Sequence, residues 1–466
     1  MPRIAVAGPS SVVTDAAVAV GEEGGSVGDV AIVAALTAMC TEPGVCGPGG
    51  GGFLAIDIPG EDPVVVDGYM SFPGIGFEGE AVVREVSMAY GGGVTTLVDA
   101  GSIAVPGVFA GLDLTSKMFG RAPWALLMDV VAAAVDDGFP LSAPCYLYLN
   151  DGAAPIYTSD PVARDALFVG ERSHPEGDII IFPGLAGTLR QIGEEGARVF
   201  YEGELGREMV KDLAERGSRL TMADMESYQA VAREPLISHL GNWRLAHNPA
   251  PAIGGMTVAR VLDLAHSGGT KARAMALVQA FEERLGATGL RSPSTVSVAA
   301  VDEDGGVAAA SLSAGYGSGI IPAGTGMLMN NALGELELVD GPGVPGERLP
   351  SNMAPTVGRS GDDAVALGSP GADRITTAVA TTLLRLAEGD SLQRAIDHPR
   401  VHPEFGDFGV RLAAEPGQDL DHIALEVREF EAPHMYFGGV NGAALLDGHL
   451  HAHADARRTG SVAFTV

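Results

Sequence analysis

A chain of 466 residues is about three ordinary domains long, so either two to three domains or one large single core is expected. With 46% hydrophobic and 19% charged residues, and 65 glycines that follow no G-X-Y period, it is neither disordered nor collagen-like. Its 29 Lys and Arg against 59 Asp and Glu leave a net charge of -30, a field that repels nucleic-acid phosphates and anionic membrane surfaces.

The opening MPRIAVAGPSSVVTDAAVAV breaks its apolar stretch with Gly, Pro, Ser and Asp, so no secretory h-region is read there. No apolar run approaches the ~20 residues of a membrane span, and a cytoplasmic location is expected. Helical spacing from Asp15 through Met39, apolar on most faces, predicts a buried helix ending at Pro43. Gly49 to Gly52 then run directly into Phe53-Leu54-Ala55-Ile56, followed by Pro63 to Asp67, which reads as a glycine turn and a hairpin. A phosphate-cradling loop needs a helix after its glycines, so nucleotide binding is disfavoured. Cys40, Cys46 and Cys145 are too few for a disulfide framework and lack zinc spacing; they are expected to be buried small hydrophobes.

Helices are predicted over Pro123–Phe139 and Leu189–Arg216, with two more between Met256 and Glu283. From Thr295 the texture changes to TVSVAAVD, the turn Glu303-Asp304-Gly305-Gly306, and VAAASLSAG, a hairpin. A strand at Ala364–Leu367, a helix at Arg374–Leu386 and apolar pieces at Val410–Ala413 and Gly442–Leu446 complete the chain, with no repeat and no linker. Such an inventory suggests stacked antiparallel sheets covered by helices. His449, His451 and His453 alternate along a strand and would share one face. A solvent-facing strand is the favoured reading over a metal site there.

Neither a GxSxG elbow nor an HExxH pair occurs. One segment carries chemistry: Ser294-Thr295 opens a strand, and a hairpin later come Ser311, Ser313 and the glycine-rich GYGSGIIPAGTG. Alone, a strand-initial Thr is merely a good β-former. The wider pattern is more specific. GGSVGDVAIVAALTAMCTEPGVCGPGGGGF, AVPGVFAGL, APWALLMDVVAAAVDDGFPLS, LTMADMESYQAVAREPL, PAPAIGGMTVARVLDL, STVSVAAVDEDG, GYGSGIIPAGTGMLMNNALGE, LPSNMAPTV, GSPGADRITT and GAALLDGHLHAHADARRTG occur in this order. Over nearly its whole length the chain thereby resembles the γ-glutamyltranspeptidase family of N-terminal-nucleophile hydrolases.

The resemblance implies an α+β fold, a four-layer αββα sandwich, made as one precursor whose segments 1–294 and 295–466 act as large and small subunits of one intertwined fold. Thr295 would attack the carbonyl of Ser294 and become a new N-terminus. Its α-amine, titrating near ~8, would then serve as base for its own hydroxyl. Ser313 matches the position that hydrogen-bonds the nucleophile, and the N–H groups of Gly371 and Ala372 match the oxyanion donors, provided position 372 needs no positive φ. Tyr69 stands where the family's Arg grips the glutamyl α-carboxylate, so bidentate recognition is lost, although a Tyr hydroxyl can donate one bond. Val296 and Ser297 replace a usual Thr and His, Gly315 replaces a substrate-contacting Asn, and Glu335 replaces an Asp that binds the α-amino group. Ser351 is kept and Asn352 replaces a second Ser.

The stretch from Asn331 to Pro350 is short, so a covering lid loop is expected to be missing and the pocket open. The implied partners are a small acyl amide and an amine acceptor that competes with water. No cofactor, metal, nucleic acid or membrane is expected, and an oligomer is compatible. An amide hydrolase or acyltransferase of altered acyl specificity is the leading expectation. Its rivals are a true γ-glutamyl enzyme with a rebuilt clamp, a non-cleaving binding protein and, more weakly, a metal-dependent hydrolase at the three histidines.

Overall fold

The computed structural model describes residues 2–88, 93–265, 268–288, 295–336, 339, 343–406 and 408–466; Ser294 lies outside the described residues. Thirteen strands build two large sheets: β1 (Ile4–Gly8), β2 (Gly51–Asp57), β3 (Val64–Gly68), β4 (Val231–Arg233), β5 (Leu236–Leu240), β6 (Trp243–His247), β7 (Val296–Asp302), β8 (Val307–Ser313), β9 (Thr356–Ser360), β10 (Asp363–Gly368), β11 (Asn441–Leu446), β12 (His449–Ala454) and β13 (Ser461–Phe464). The first sheet runs β4-β3-β2-β8-β7-β1-β13 and the second β5-β6-β9-β10-β11-β12, with antiparallel pairing throughout. Both sheets combine strands from before and after position 295, so neither segment has a sheet of its own.

Strand alternation sorts the side chains into layers. Val298, Ala300, Ala308, Ala310 and Leu312 join Ile4, Val6, Leu54 and Ile56 in a core shared with the helices Ser11–Glu22 and Val27–Thr41. Their neighbours Ala299, Val301, Val307 and Ala309 join Ala5, Phe53 and Ala55 against Ala364–Leu367 and Ala443–Leu445 of the second sheet. That second core continues into the helices Gly254–Ala265 and Arg374–Ala387 on the far side. Helix, sheet, sheet, helix is therefore the layer order, as expected. Alanine dominates where the sheets face each other, and a face of small side chains lets them approach closely.

Three expectations are refined. The helical pattern over Asp15–Met39 is two helices, broken at Gly24, which adopts φ 91, and restarted by a capping box in which Ser26 and Asp29 bond each other's backbone N–H. Leu189–Arg216 is likewise three helices, Leu185–Glu195, Val199–Glu202 and Glu204–Glu215. The first residues, read only for what they lack, form β1 between β7 and the edge strand β13, because Ile4, Val6 and Ala5 are apolar on both faces. The three cysteines are free and buried. Among the described residues no helix is long and apolar enough to cross a membrane.

Candidate active site

Thr295 immediately precedes β7 and is 2% exposed. The β7–β8 register pairs Val296 with Leu312 and Ser297 with Ser311, and its continuation sets Ser313 opposite Thr295. Because side chains alternate, Thr295, Ser297, Ser311 and Ser313 share the face that looks at the second sheet. Gly368 ends β10 against this hydroxyl face: a Cβ there would lie 2.8 Å from Ser297 Cβ and 3.3 Å from Ser311 Oγ, so only glycine admits the approach. On the other side Gly50 and Gly52 crowd Ser313 O and Ser311 O, where a Cβ would come within 2.2 and 2.3 Å. The glycine run of the sequence is thus a packing device beside the hydroxyls, followed by a strand.

Two polar side chains fix the face. Ser313 Oγ accepts the Gly315 N–H at 3.0 Å. Asn441 Nδ2 donates to Ser297 O at 2.7 Å and reaches Ser297 Oγ at 3.3 Å. Asn441 was missed in the sequence; a buried amide leading the apolar strand Gly442–Leu446 is the signal that could have found it.

Beyond Gly368 the chain turns through Ser369-Pro370-Gly371-Ala372 into the helix Arg374–Ala387. Gly371 has φ 126 and Ala372 φ 57. The proviso attached to Ala372 therefore fails: the turn does demand left-handed backbone, and alanine accepts it at a cost of about 1–2 kcal/mol. Among the described residues neither the Gly371 nor the Ala372 N–H has a protein acceptor, and both lie at the positive end of a helix dipole. The turn is held by Asp373, whose Oδ1 takes bonds from Asn352 Nδ2 at 2.8 Å and Arg284 Nη2 at 2.6 Å. Asn352 thus braces the donor turn.

The residues matched to the substrate clamp do meet. Tyr69 stacks on Phe53 with ring centroids 5.2 Å apart and neighbours Ser351 and Glu335. Burial, and then the Glu335 charge, push its phenol well above the ordinary tyrosine range, so it remains a neutral donor. Ser351 Oγ accepts the Met353 N–H at 3.2 Å. Glu335 and Gly315 compensate each other: Gly315 has φ 67, and a Cβ on it would lie 2.2 Å from Glu335 Oε1 and 2.3 Å from Asn331 Oδ1. The longer acid fills the room that the missing side chain leaves. Asn331, quoted in the sequence only as part of a motif, organises this corner by accepting the Tyr316 N–H at 2.7 Å and donating to Thr96 Oγ1 and Leu97 O, both at 2.9 Å.

Tyr69, Glu335, Ser351 and Asn352 are all buried; residues 337, 338 and 340–342 of the short stretch before Pro350, on which the open-pocket expectation rests, lie outside the described residues. Thr295 itself borders a narrow opening of about 30 Å³, room for a water, lined among others by Glu42, Pro370, Asn441 and Arg458. Glu42 is a second residue missed in the sequence. It accepts from Ser142 Oγ at 2.6 Å and Cys145 Sγ at 3.1 Å, and burial raises its carboxyl pKa.

The gamma-glutamyltranspeptidase family model matches residues 13–283 and 270–465. The chain belongs to this family. Glutathione hydrolase 5 proenzyme of Mus musculus is 28% identical, over 86% of this chain and 81% of its own. Acylase ACY 1 proenzyme of Pseudomonas sp. (strain V22) is 26% identical, over 94% and 89%. Cephalosporin acylase from Bacillus halodurans shares the fold, with a TM-score of 0.81 over 99% of this chain and 96% of its own at 20% identity. The family is one of hydrolases and acyltransferases with the N-terminal-nucleophile fold, and the two-sheet architecture agrees with it.

The three histidines lie on the edge strand β12, opposite Leu446, Ala444 and Gly442. His453 Nε2 bonds Asp397 Oδ1 at 2.9 Å, and among the described residues no group of three His, Cys, Asp or Glu could hold a metal.

Proposed function

We propose that the chain is a self-processing amide hydrolase or acyltransferase whose nucleophile is Thr295 and whose acyl specificity departs from an ordinary γ-glutamyl unit. The observation that carries this reading is the position of Thr295. It stands at the head of a central strand, in register with Ser313 and on the face looking at the second sheet, whose strand β10 leads into a turn with two unclaimed N–H groups.

The steps follow from that arrangement. In maturation, Thr295 Oγ1 bonds to the carbonyl carbon of Ser294 while the C–N bond breaks and the nitrogen takes a proton. Water then hydrolyses the ester, freeing the Ser294 carboxylate and the Thr295 hydroxyl beside the amine already released. In turnover, that amine takes the Thr295 hydroxyl proton as Oγ1 attacks the substrate amide. The Gly371 and Ala372 N–H groups hold the oxyanion, the leaving amine departs with the proton, and water or a second amine releases the acyl group. Ser313 orients the nucleophile. Tyr69, Ser351 and Glu335 contact the acyl part, with a neutral hydroxyl where a cation would grip a carboxylate, and Asn352 holds the donor turn.

The naming of one relative as a glutathione hydrolase and another as an acylase is consistent with a scaffold that keeps amide cleavage and varies the acyl group. A γ-glutamyl substrate remains the second reading, because buried Glu335 keeps an anion for an α-ammonium group.

Intact mass of the wild type beside Thr295→Ala tests the proposal. Pieces corresponding to 1–294 and 295–466 in the wild type alone support it. Two uncleaved proteins without amide turnover would sink it and favour a binding protein. A substrate series of γ-glutamyl and other acyl amides then separates the two enzyme readings.

A further inference from the structure

A wide cleft of about 690 Å³ opens beside the clamp, lined among others by Ser71, Tyr228, Arg233, Glu347 and Arg348. It adjoins the acyl residues through backbone pairing. Met70 O accepts the Leu349 N–H at 3.0 Å and Phe72 N–H donates to Glu347 O at 2.9 Å, so the cleft begins two residues along from Tyr69 and three before Ser351. Tyr228 forms part of its wall and donates its hydroxyl to Tyr69 O at 2.6 Å.

The charges in this wall are unevenly paired. Asp67 is fully buried, and its two oxygens serve two guanidinium groups: Arg348 Nε at 3.2 Å on Oδ1, and Arg233 Nε and Nη2 at 2.8 and 2.7 Å on Oδ2. Arg348 also donates Nη2 to Gln229 O at 2.5 Å and lies over the Tyr228 ring, 4.4 Å from its centroid. Among the described residues the Nη1 group of each arginine has no acceptor. Glu347 is exposed and forms no ion pair among the described residues. With Glu347 the wall has two cations and two carboxylates, but only Asp67 is paired with the guanidinium groups, so what the cleft offers is their unpaired N–H edges rather than a net charge. Ser71, 2% exposed, lines the same wall with a hydroxyl that has no protein partner among the described residues.

We infer that this cleft is a binding site for a small organic carboxylate, distinct from the acyl residues around Tyr69. The free N–H groups of two guanidinium groups, held in place by Asp67 and Tyr228, line the cleft together with the Ser71 hydroxyl, and donors of this kind are what a carboxylate accepts from. Such an acid comes either as the far end of the acyl substrate or as a separate small molecule.

Ligand-observed NMR with glutarate as the probe tests the site on the intact chain. Saturable binding with Kd on the order of 1 mM is expected for the wild type and equally for Thr295→Ala, with dimethyl glutarate not binding. Ser71→Ala leaves the Asp67 ion pairs untouched and should weaken glutarate several-fold. Arg348→Lys keeps the charge but loses the fork and should weaken it about tenfold. Unchanged affinity in both variants, or equal binding of the diester, would overturn the inference. Because binding is read without turnover, failure of the Thr295 mechanism would show separately. If glutarate competes with the amide substrate, the ligand is the substrate's own tail; if it binds without affecting turnover, it is a separate acid, and either result retains the site.

Discussion

The strand pair β7–β8 with its donor turn, and the clamp around Tyr69, depart from the family pattern in opposite ways. In the proposed mechanism the strand pair works through backbone: a register that sets Ser313 opposite Thr295, a glycine that lets β10 approach, and two N–H groups that exist whatever side chain is attached. Changing Gly to Ala at position 372 therefore removes no donor. At the proposed clamp recognition would rest on side chains, and there the changes come together. Gly315 and Glu335 interlock, while Tyr69 lies near Ser351 beside the same acid. Function built from backbone tolerates sequence drift, whereas specificity built from side chains drifts in coupled sets.

The sharpest break of that contrast is at the nucleophile. Thr295→Ala should leave the chain uncleaved and lower amide turnover at least ~10³-fold, while Thr295→Ser, which keeps hydroxyl and amine, should retain slow cleavage. Mass spectrometry and a single amide assay read both. On the clamp side, Tyr69→Arg would place a cation beside buried Glu335 and restore a carboxylate fork. γ-Glutamyl turnover should rise about tenfold in kcat/KM, and a fall for every acyl amide tested would count against Tyr69 as a specificity residue.

Coupling within the clamp predicts a stability effect of intermediate size. Gly315→Asn puts a Cβ into Glu335 Oε1 and Asn331 Oδ1 at a left-handed position, and should destabilise by about 2–4 kcal/mol. Shortening the acid by Glu335→Asp in the same chain should recover part of that loss. Urea unfolding of the two single variants and the double closes the cycle, and strict additivity would show that the two positions do not interact.

On the nucleophile side Glu42 gives a pH dependence. Burial raises its native pKa above the ~4.3 of an unfolded glutamate, so between those values the native state holds more protons than the unfolded one. Stability therefore falls as pH rises from ~4.3 through that window, and this contribution is fully present only below it. Glu42→Gln keeps the shape and removes the slope. Urea midpoints measured at successive pH values should be flatter in the variant; identical slopes would mean that Glu42 is not the group responsible.

Much of this contrast could be read before the fold was known, and the unread part has definite causes. The hairpin from Thr295, the glycine turn into Phe53–Ile56 and the helix after Arg374 follow from periodicity and turn chemistry, because those are local. The break at Gly24 was overridden by the apolar run on both sides, and β1 was missed because its five residues acquire meaning only between β7 and β13. At the site, Thr295, Ser313, Tyr69, Glu335 and Ser351 were all named from the sequence. That Gly315 makes room for Glu335 was not legible, since 20 residues of chain separate two atoms that meet only in space. Asn441 and Glu42 were silent for the same reason: a buried polar side chain announces its partner only when both are placed.

The smallest predicted effect returns to the donor turn. Ala372 sits at φ 57 directly before a helix, and its Cβ is the reason this conformation costs energy. In Ala372→Gly the native backbone is unchanged and the strain vanishes, but the unfolded chain gains conformational freedom that folding must then remove. The two terms oppose each other and the first is larger, so a net stabilisation of about 0.5–1 kcal/mol is expected, with amide turnover within about twofold of the wild type. Thermal unfolding and a kcat comparison measure the two separately. A stabilised variant whose turnover falls tenfold would show that the strained alanine holds the N–H pair in its working direction, and the backbone side of the contrast would then depend on a side chain after all.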